Sequence, residues 1–249
     1  MSDKTSGDAG FMPLAQHLRE LRKRLLLSFL GIGIGAIAGW FLCDLVLAQI
    51  TSPLSELGDV QLNFQTVGAA FDMRMKVSLW IGLLISSPWW ISQLTAFIWP
   101  ALRRRERLYL LGFGFAGVVL FIAGVVFGAW LAPRAVEILS SFTPTESVML
   151  LQADAYVRFY TRLVMAFGLS FLVPEVLVML NFGGVLNARR MLRAWRWATV
   201  VSFIFAAIAN PLPTPWPVIA QALVLLALYF GAVGISAFHD WWHFRKTKK

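Results

Sequence analysis

Three carboxylates stand in unusual chemical surroundings in this sequence. Glu20 lies within the basic run Arg19–Arg24, and Glu106 lies within the basic run Arg103–Arg107. Glu175 lies in the middle of a long apolar stretch. A carboxylate within a basic surface can accept charge-assisted, bidentate hydrogen bonds from the guanidinium of a ligand. A carboxylate within an apolar stretch is costly and marks a functional site by default.

Each of these carboxylates also has a purely structural interpretation. Glu20 can pair with Lys23 or Arg24, three and four residues further along a helix. Glu106 can be a solvated loop charge, and Glu175 can be a protonated or hydrogen-bonded side chain facing another helix. The residue pattern alone leaves both interpretations open for all three.

The surroundings of Glu20 are predicted to be helical. Leu14, Leu18, Leu21 and Leu25 are spaced by four, three and four residues, which places them on one helical face. Residues 13–24 are therefore predicted to form an amphipathic helix on the membrane surface that leads into the first span.

The composition indicates an integral membrane protein. The chain has 249 residues, of which 58% are hydrophobic and 14% are charged, with a mean hydropathy of +0.69. A soluble domain is about 45–50% apolar and about 25% charged, so a soluble enzyme, a disordered tail and a coiled coil are excluded. A phosphate-binding glycine loop is absent from the sequence, the only cysteine is Cys43, and the three histidines are scattered. We therefore expect neither an enzyme nor a bound metal or cofactor.

Six apolar segments are long enough, or nearly so, to cross a bilayer, for which about 20 residues are needed. They cover residues 25–43, 77–99, 108–132, 163–186, 195–209 and 216–238, after a disordered start at residues 1–12. The predicted fold is an all-α membrane protein, a single domain of six transmembrane helices. Pro88 and Pro174 are expected to kink their helices and to curve the bundle.

Basic residues predict the orientation. If six spans are assumed, 17 of the 22 Lys and Arg residues fall on the side of the two termini. Both termini are therefore predicted to be cytoplasmic. The net charge of +9 is thus explained by topology rather than by binding to nucleic acid.

Two long segments are expected on the opposite side, at residues 44–76 and 133–162. Pro53 is expected to break the first segment, and Pro133 marks a turn in the second. Within the second segment, residues 135–142 and 155–162 are expected to form short helices on the outer face.

Several motifs resemble one known family. The run from His17 to Leu25 resembles the N-terminal signature of TatC, the polytopic core of the twin-arginine protein translocase. Further matches, in chain order, are Ser52-Pro53-Leu54, Phe71, Pro88, Gln93, residues 96–102, Glu106-Arg107, residues 167–174 and residues 178–181. The resemblance covers nearly the whole chain, and the stretches 17–25 and 97–107 are its most specific parts.

The resemblance implies a receptor in the bacterial cytoplasmic membrane. TatC proteins bind twin-arginine signal peptides on the cytoplasmic face. They export folded proteins with TatA- and TatB-type single-span partners, driven by the proton-motive force, and they self-associate. The signal-peptide site that the resemblance implies for this chain consists of Glu20, Arg22, Phe97, Glu106 and Arg107, with Pro53, Pro88 and Pro174 as structural positions.

The chain departs from the family pattern at three places. Leu172 stands where the family usually has Glu or Gln, and Glu175 follows three residues later, so we expect Glu175 to take over this polar role. Thr214 or Pro217 replaces an acidic residue of the last external turn. Phe230 replaces a frequent glutamate of the sixth span.

Two other classes of function remain possible from the sequence. One is a proton- or ion-coupled transporter of small solutes, in which Glu175 is the coupling site. The other is a membrane scaffold without a ligand. A lone intramembrane acid and the lack of a repeated half disfavour the first, and the acids within the two basic clusters disfavour the second.

Overall fold

Eight helices and one short pair of strands make up the described part of the chain. The computed structural model describes residues 14–56, 61–64, 66, 68–98, 107–140, 150–182, 184, 186–209 and 215–246. The elements are α1 (Leu14–Glu56), β1 (Gln61–Asn63), α2 (Ala69–Ile85), α3 (Ser87–Ile98), α4 (Arg107–Ser140), β2 (Leu150–Gln152), α5 (Ala153–Phe182), α6 (Ala188–Arg193), α7 (Trp195–Ala209) and α8 (Pro215–Lys246).

Four of the described helices contain stretches long and apolar enough to cross a membrane: Leu18–Pro53, Gly112–Ile138, Ala153–Phe182 and Pro217–Trp241. Helix α7 is apolar but has only 15 residues. Helices α2 and α3 follow one another with only Ser86 between them. The fold is therefore an α-helical membrane bundle.

Helix α1 is longer than expected, and Pro53, which was expected to break the segment 44–76, lies inside this helix. The surface helix expected at 13–24 and the span expected at 25–43 form one helix, which ends only at Glu56. Proline cannot donate a hydrogen bond to the carbonyl four residues earlier, which here belongs to Gln49. The hydroxyl of Ser52 donates to the Gln49 oxygen at 3.1 Å. A side chain thus replaces the missing backbone donor, and the helix continues.

Pro88 does not kink the middle of one helix, contrary to expectation. The segment 77–99 is divided at Ser86, whose N–H donates to the carbonyl of Gly82 at 3.0 Å. Pro88 lies in the first turn of α3, where the missing N–H has no helical partner to lose. Pro174, by contrast, is buried inside α5, which continues to Phe182.

The two short outer helices do not exist as separate elements. Residues 135–140 continue α4 beyond Pro133, and residues 155–162 belong to the N-terminal part of α5. Tyr156, Phe159 and Leu163 recur at helical spacing and are all buried. One continuous apolar face therefore extends the helix past the expected start of the span.

A two-stranded parallel ladder was not expected from the sequence. Strand β1 pairs with β2 so that Gln61 lies opposite Leu150 and Asn63 opposite Gln152. Next to it, the hydroxyl of Tyr156 donates to the carbonyl of Ile50 at 2.8 Å. These contacts join the end of α1 to the start of α5. Three-residue strands carry too little periodicity to be recognised in a sequence.

Helix pairs approach closely where glycines meet. A Cβ atom built on Gly35 of α1 would lie 2.6 Å from the carbonyl oxygen of Gly82 in α2. A Cβ atom on Gly124 of α4 would lie 2.6 Å from the carbonyl oxygen of Phe167 in α5. Small residues let membrane helices pack backbone against backbone, so these positions fix the α1–α2 and α4–α5 pairs.

Asp240 of α8 anchors the segment between α5 and α7. Its carboxylate accepts hydrogen bonds from the N–H of Ala188 at 3.0 Å and from the side-chain amide of Asn181 at 3.1 Å. The hydroxyl of Tyr229, also in α8, donates to the carbonyl of Met191. Helix α6 is therefore fastened to α8 at its first residue and again at Met191.

Candidate functional site

Glu20 lies on α1 and forms the ion pair that its spacing predicted. The Nε of Arg24 donates to Oε1 of Glu20 at 2.9 Å. Both side chains remain about one-third exposed, at 31% for Glu20 and 29% for Arg24. The carboxylate is therefore held in position and is still accessible from outside.

Arg24 also reaches a second helix. Its Nη1 donates to Oε1 of Gln93 in α3 at 2.9 Å, and Gln93 is only 8% exposed. The row Glu20–Arg24–Gln93 thus crosses from α1 to α3. The guanidinium of Arg24 is thus held between a carboxylate oxygen and an amide oxygen, both of which accept hydrogen bonds from it.

Trp89 holds the two helices at the distance that this row requires. Its indole N–H donates to the carbonyl of Leu27 at 2.9 Å. A Cβ atom on Gly31 would lie 2.9 Å from the Nε1 of Trp89, so only glycine leaves room for the ring. Because Trp89 and Gln93 are four residues apart, docking of the first places the second opposite α1.

An apolar groove begins beside this polar row. Its volume is about 310 Å³, and three parts of the chain line it: α1, the α2–α3 pair and α5. The lining side chains are Leu25, Ser28, Phe29, Ile32, Leu83, Trp90, Leu94, Met165 and Leu169. Ser28 is the one polar residue among them, and its hydroxyl donates to the carbonyl of Arg24. The groove therefore suits an apolar segment whose polar end lies at Glu20.

The remaining predicted site residues lie in different places. Phe97 lies one turn beyond Gln93 on α3 and is partly buried. Arg22 is exposed and lines a separate basic surface of α1 with Arg19 and Lys23, away from the groove. Glu106 lies outside the described residues. Arg107 is the first residue of α4, and its side chain is not among those described.

Glu175 points at α4 from α5. A Cβ atom on Gly117 would lie 2.7 Å from Oε1 of Glu175, so the carboxylate occupies the space that a side chain at 117 would fill. Leu172, one turn earlier, packs against a cluster that contains Trp90 and Phe121. Leu172 and Glu175 therefore face the same neighbouring helix.

Gln93 was not predicted to be a site residue, although it belongs to the matched motifs. A polar side chain in the apolar segment of α3 was the available signal. The contact with Arg24 joins residues 69 positions apart. Only the packing of α3 against α1 brings them together.

The fold and the site define a multi-pass α-helical membrane protein with a polar row and an apolar groove between its helices. The family model of the Sec-independent protein translocase protein TatC matches residues 16–224. The chain therefore belongs to the TatC family, as its motifs predicted, and is a subunit of the twin-arginine translocase type.

Similar proteins agree with this assignment. A TatC protein of Xylanimonas cellulosilytica is 42% identical over 92% of this chain and 85% of its own length. A TatC protein of Synechocystis is 31% identical over 90% of this chain and 87% of its own length. A crystal structure of the twin-arginine translocase receptor TatC superimposes with a TM-score of 0.80 at 28% identity and covers 89% of this chain and 98% of that one.

Proposed function

We propose that this protein binds twin-arginine signal peptides at the cytoplasmic face of a bacterial membrane. With TatA- and TatB-type partners it then exports folded proteins, driven by the proton-motive force. In this proposal the chain crosses the membrane six times, with α2 and α3 together forming one crossing. Both termini are cytoplasmic, as the distribution of basic residues favours.

One observation carries this proposal: the guanidinium of Arg24 is seated between Glu20 and Gln93. It occupies a position that an arginine of the signal would take. Exposed ion pairs between residues four apart are worth only about 0.3–0.5 kcal/mol. An incoming arginine can therefore displace Arg24 from Glu20 at little cost. In this proposal Phe97, which lies one turn beyond Gln93 on α3, completes the site together with Arg22, Glu106 and Arg107.

The apolar groove gives the proposal its second part. Twin-arginine signals carry an apolar segment after the arginine pair, as the family resemblance implies. Leu25 and Phe29 open the groove directly after Arg24 on α1. A peptide whose arginine lies at Glu20 would therefore place its apolar segment against α1, α3 and α5.

Complementation tests the whole proposal. The gene is expressed in a bacterium that lacks its own TatC protein, together with a folded fluorescent reporter behind an Arg-Arg signal. We expect export of this reporter and retention of a matched reporter with a Lys-Lys signal, because ammonium groups lack the planar fork of guanidinium. Retention of both reporters, with the protein stably present in the membrane, would contradict the proposal.

Glu175 is proposed to supply a hydrogen-bonding group inside the bundle. We expect Glu175→Leu to slow export by about five- to tenfold, the cost of about one lost hydrogen bond. Glu175→Gln keeps an acceptor and should slow export less than about twofold. The measured quantity is the rate of reporter export, with Val176→Leu as the control because Val176 is 48% exposed on the outside of α5.

Two outcomes would change this role. Normal export by Glu175→Leu would leave the carboxylate with a structural role at most. Loss of export in both Glu175→Leu and Glu175→Gln would instead require a carboxylate at this position that titrates during export.

A further inference from the structure

A large cavity lies at the corner where α6 meets α7. Its volume is about 820 Å³, and α6, α7 and α8 all contribute to its lining. The lining side chains are Arg189, Leu192, Arg193, Trp195, Arg196 and Phe230. This basic corner cavity plays no part in the proposed signal-peptide site, since its lining shares no residue with the polar row or the apolar groove.

The three arginines of the basic corner cavity have no acidic partner among the described residues. All three are exposed, and the ion pairs of the described residues do not include them. The carboxylate of Asp240, which contacts the residue before Arg189, already accepts from the N–H of Ala188 and from Asn181. The cavity therefore presents a concentrated positive charge that the described part of the protein does not neutralise.

The cavity also reaches into the apolar part of the bundle. Phe230 lies within the candidate span Pro217–Trp241, eight residues before Phe238. At about 1.5 Å per residue, these eight residues place Phe230 about 12 Å from Phe238 along the axis of α8. Helix α7, which starts at Trp195, has only 15 residues, fewer than the roughly 20 that a full crossing of the bilayer needs.

A short helix beside a long one is accommodated by local thinning of the bilayer. The headgroup layer is then drawn inward at α7 while α8 is still apolar. Arginines that line a cavity with apolar side chains of a membrane bundle are costly without a counter-charge, and a phosphate offers the oxygens that a guanidinium fork matches. An anionic group of a neighbouring lipid would therefore neutralise these three arginines.

We propose that the basic corner cavity binds the headgroup of an anionic phospholipid. Arg189, Arg193 and Arg196 donate hydrogen bonds to its phosphate oxygens. The acyl chains lie against Leu192 and Phe230, which are 54% and 45% exposed. The exposed apolar surfaces favour a lipid, because its acyl chains would cover them, whereas a soluble phosphate would leave them exposed to water. Bound lipid would hold the start of α7 at the thinned bilayer.

Native mass spectrometry of the full chain tests the proposal. The protein in detergent is titrated with phosphatidylglycerol and, separately, with phosphatidylcholine of the same acyl chains. We expect retention of phosphatidylglycerol at concentrations where phosphatidylcholine is lost. Arg193→Gln and Arg196→Gln should each weaken phosphatidylglycerol binding by about fivefold, the worth of one arginine near an anionic surface.

Arg190→Gln is the matched control. Arg190 is exposed on the same short helix but does not line the cavity, so its replacement should leave binding unchanged. Phe230→Glu provides a second route, because it places a carboxylate beside the arginines and should weaken binding while all three remain. Circular dichroism and gel filtration of each variant verify that it is folded.

Three results would overturn the proposal. The first is equal retention of the two lipids. The second is wild-type affinity in folded Arg193→Gln and Arg196→Gln proteins, or an equal loss in Arg190→Gln. The third is displacement of phosphatidylglycerol by millimolar glycerol 3-phosphate, which would make the cavity a site for soluble phosphate esters.

Discussion

Glu20→Ala is expected to weaken the binding of a twin-arginine peptide by about tenfold or more. The variant removes the charged acceptor for an arginine of the signal, and hydrogen bonds to charged groups are worth about 1.5–3 kcal/mol each. The ion pair with Arg24 that is lost at the same time was worth only about 0.3–0.5 kcal/mol. The dissociation constant of a fluorescent signal peptide, measured with the purified protein in detergent, checks this expectation.

Arg24→Gln separates the two interpretations of Glu20. Both variants break the Glu20–Arg24 pair, and Arg24→Gln also removes the hydrogen bond from Arg24 to Gln93. If Glu20 serves only that pair, Glu20→Ala should weaken peptide binding no more than Arg24→Gln does. If Glu20 binds the signal, removal of the competing Arg24 leaves peptide binding unchanged or up to about twofold stronger. Glu137→Ala is the control, since Glu137 is an exposed carboxylate in the last turns of α4. Equal weakening by Glu20→Ala and Arg24→Gln would remove Glu20 from the signal site.

Gly82→Ala is expected to destabilise the protein by about 1–3 kcal/mol, the usual cost of overpacking a filled interior. The added Cβ atom would lie 2.7 Å from the Cα atom of Ala36, so the backbones of α1 and α2 must separate. The higher helix propensity of alanine returns at most about 1 kcal/mol. The temperature of unfolding in detergent, followed by tryptophan fluorescence, measures the effect.

Gly33→Ala is the matched control for this prediction. Gly33 lies on α1 between the packed positions Gly31 and Gly35, and nothing lies within 4 Å of a Cβ atom built there. The unfolding temperature of Gly33→Ala should stay the same or rise slightly. Gly124→Ala, at the α4–α5 contact, should behave like Gly82→Ala. If all three variants unfold at the wild-type temperature, the glycine contacts do not determine the stability of the bundle.

Peptide binding in the Gly82→Ala protein connects the two predictions. The polar row depends on the position of α3 against α1, and α3 follows directly after α2. A separation of α1 from α2 should therefore also weaken the signal site.

Helix ends were the least predictable part of the fold. The segment 195–209 is one helix with these same bounds, since it is mostly apolar between polar and proline-rich flanks. The ends of α1, α4 and α5 lie well beyond the apolar segments. In α1 a single hydroxyl, that of Ser52, satisfies the carbonyl that Pro53 leaves free. In α5 the burial of Tyr156 and Phe159 against neighbouring helices extends the helix. A proline in a sequence does not reveal whether such compensation is present.

The candidate site was only partly predictable for a similar reason. The pair of Glu20 and Arg24 follows from a spacing of four residues on one helix. The partner of Arg24 on α3, the role of Trp89 over Gly31, and the position of Glu175 against Gly117 do not follow from any spacing.

The sequence by itself determined the membrane class and the TatC family, and it limited the local partner of Glu20 to Lys23 or Arg24. These properties reside in composition, in contiguous motifs and in contacts within one helical turn. Only the tertiary structure decided that Gln93 completes the polar row, that an apolar groove opens beside it, and that three arginines surround a cavity at the α6–α7 corner. These features join residues from separate helices, whose contacts depend on where glycines allow the backbones to meet and on the lengths of neighbouring helices.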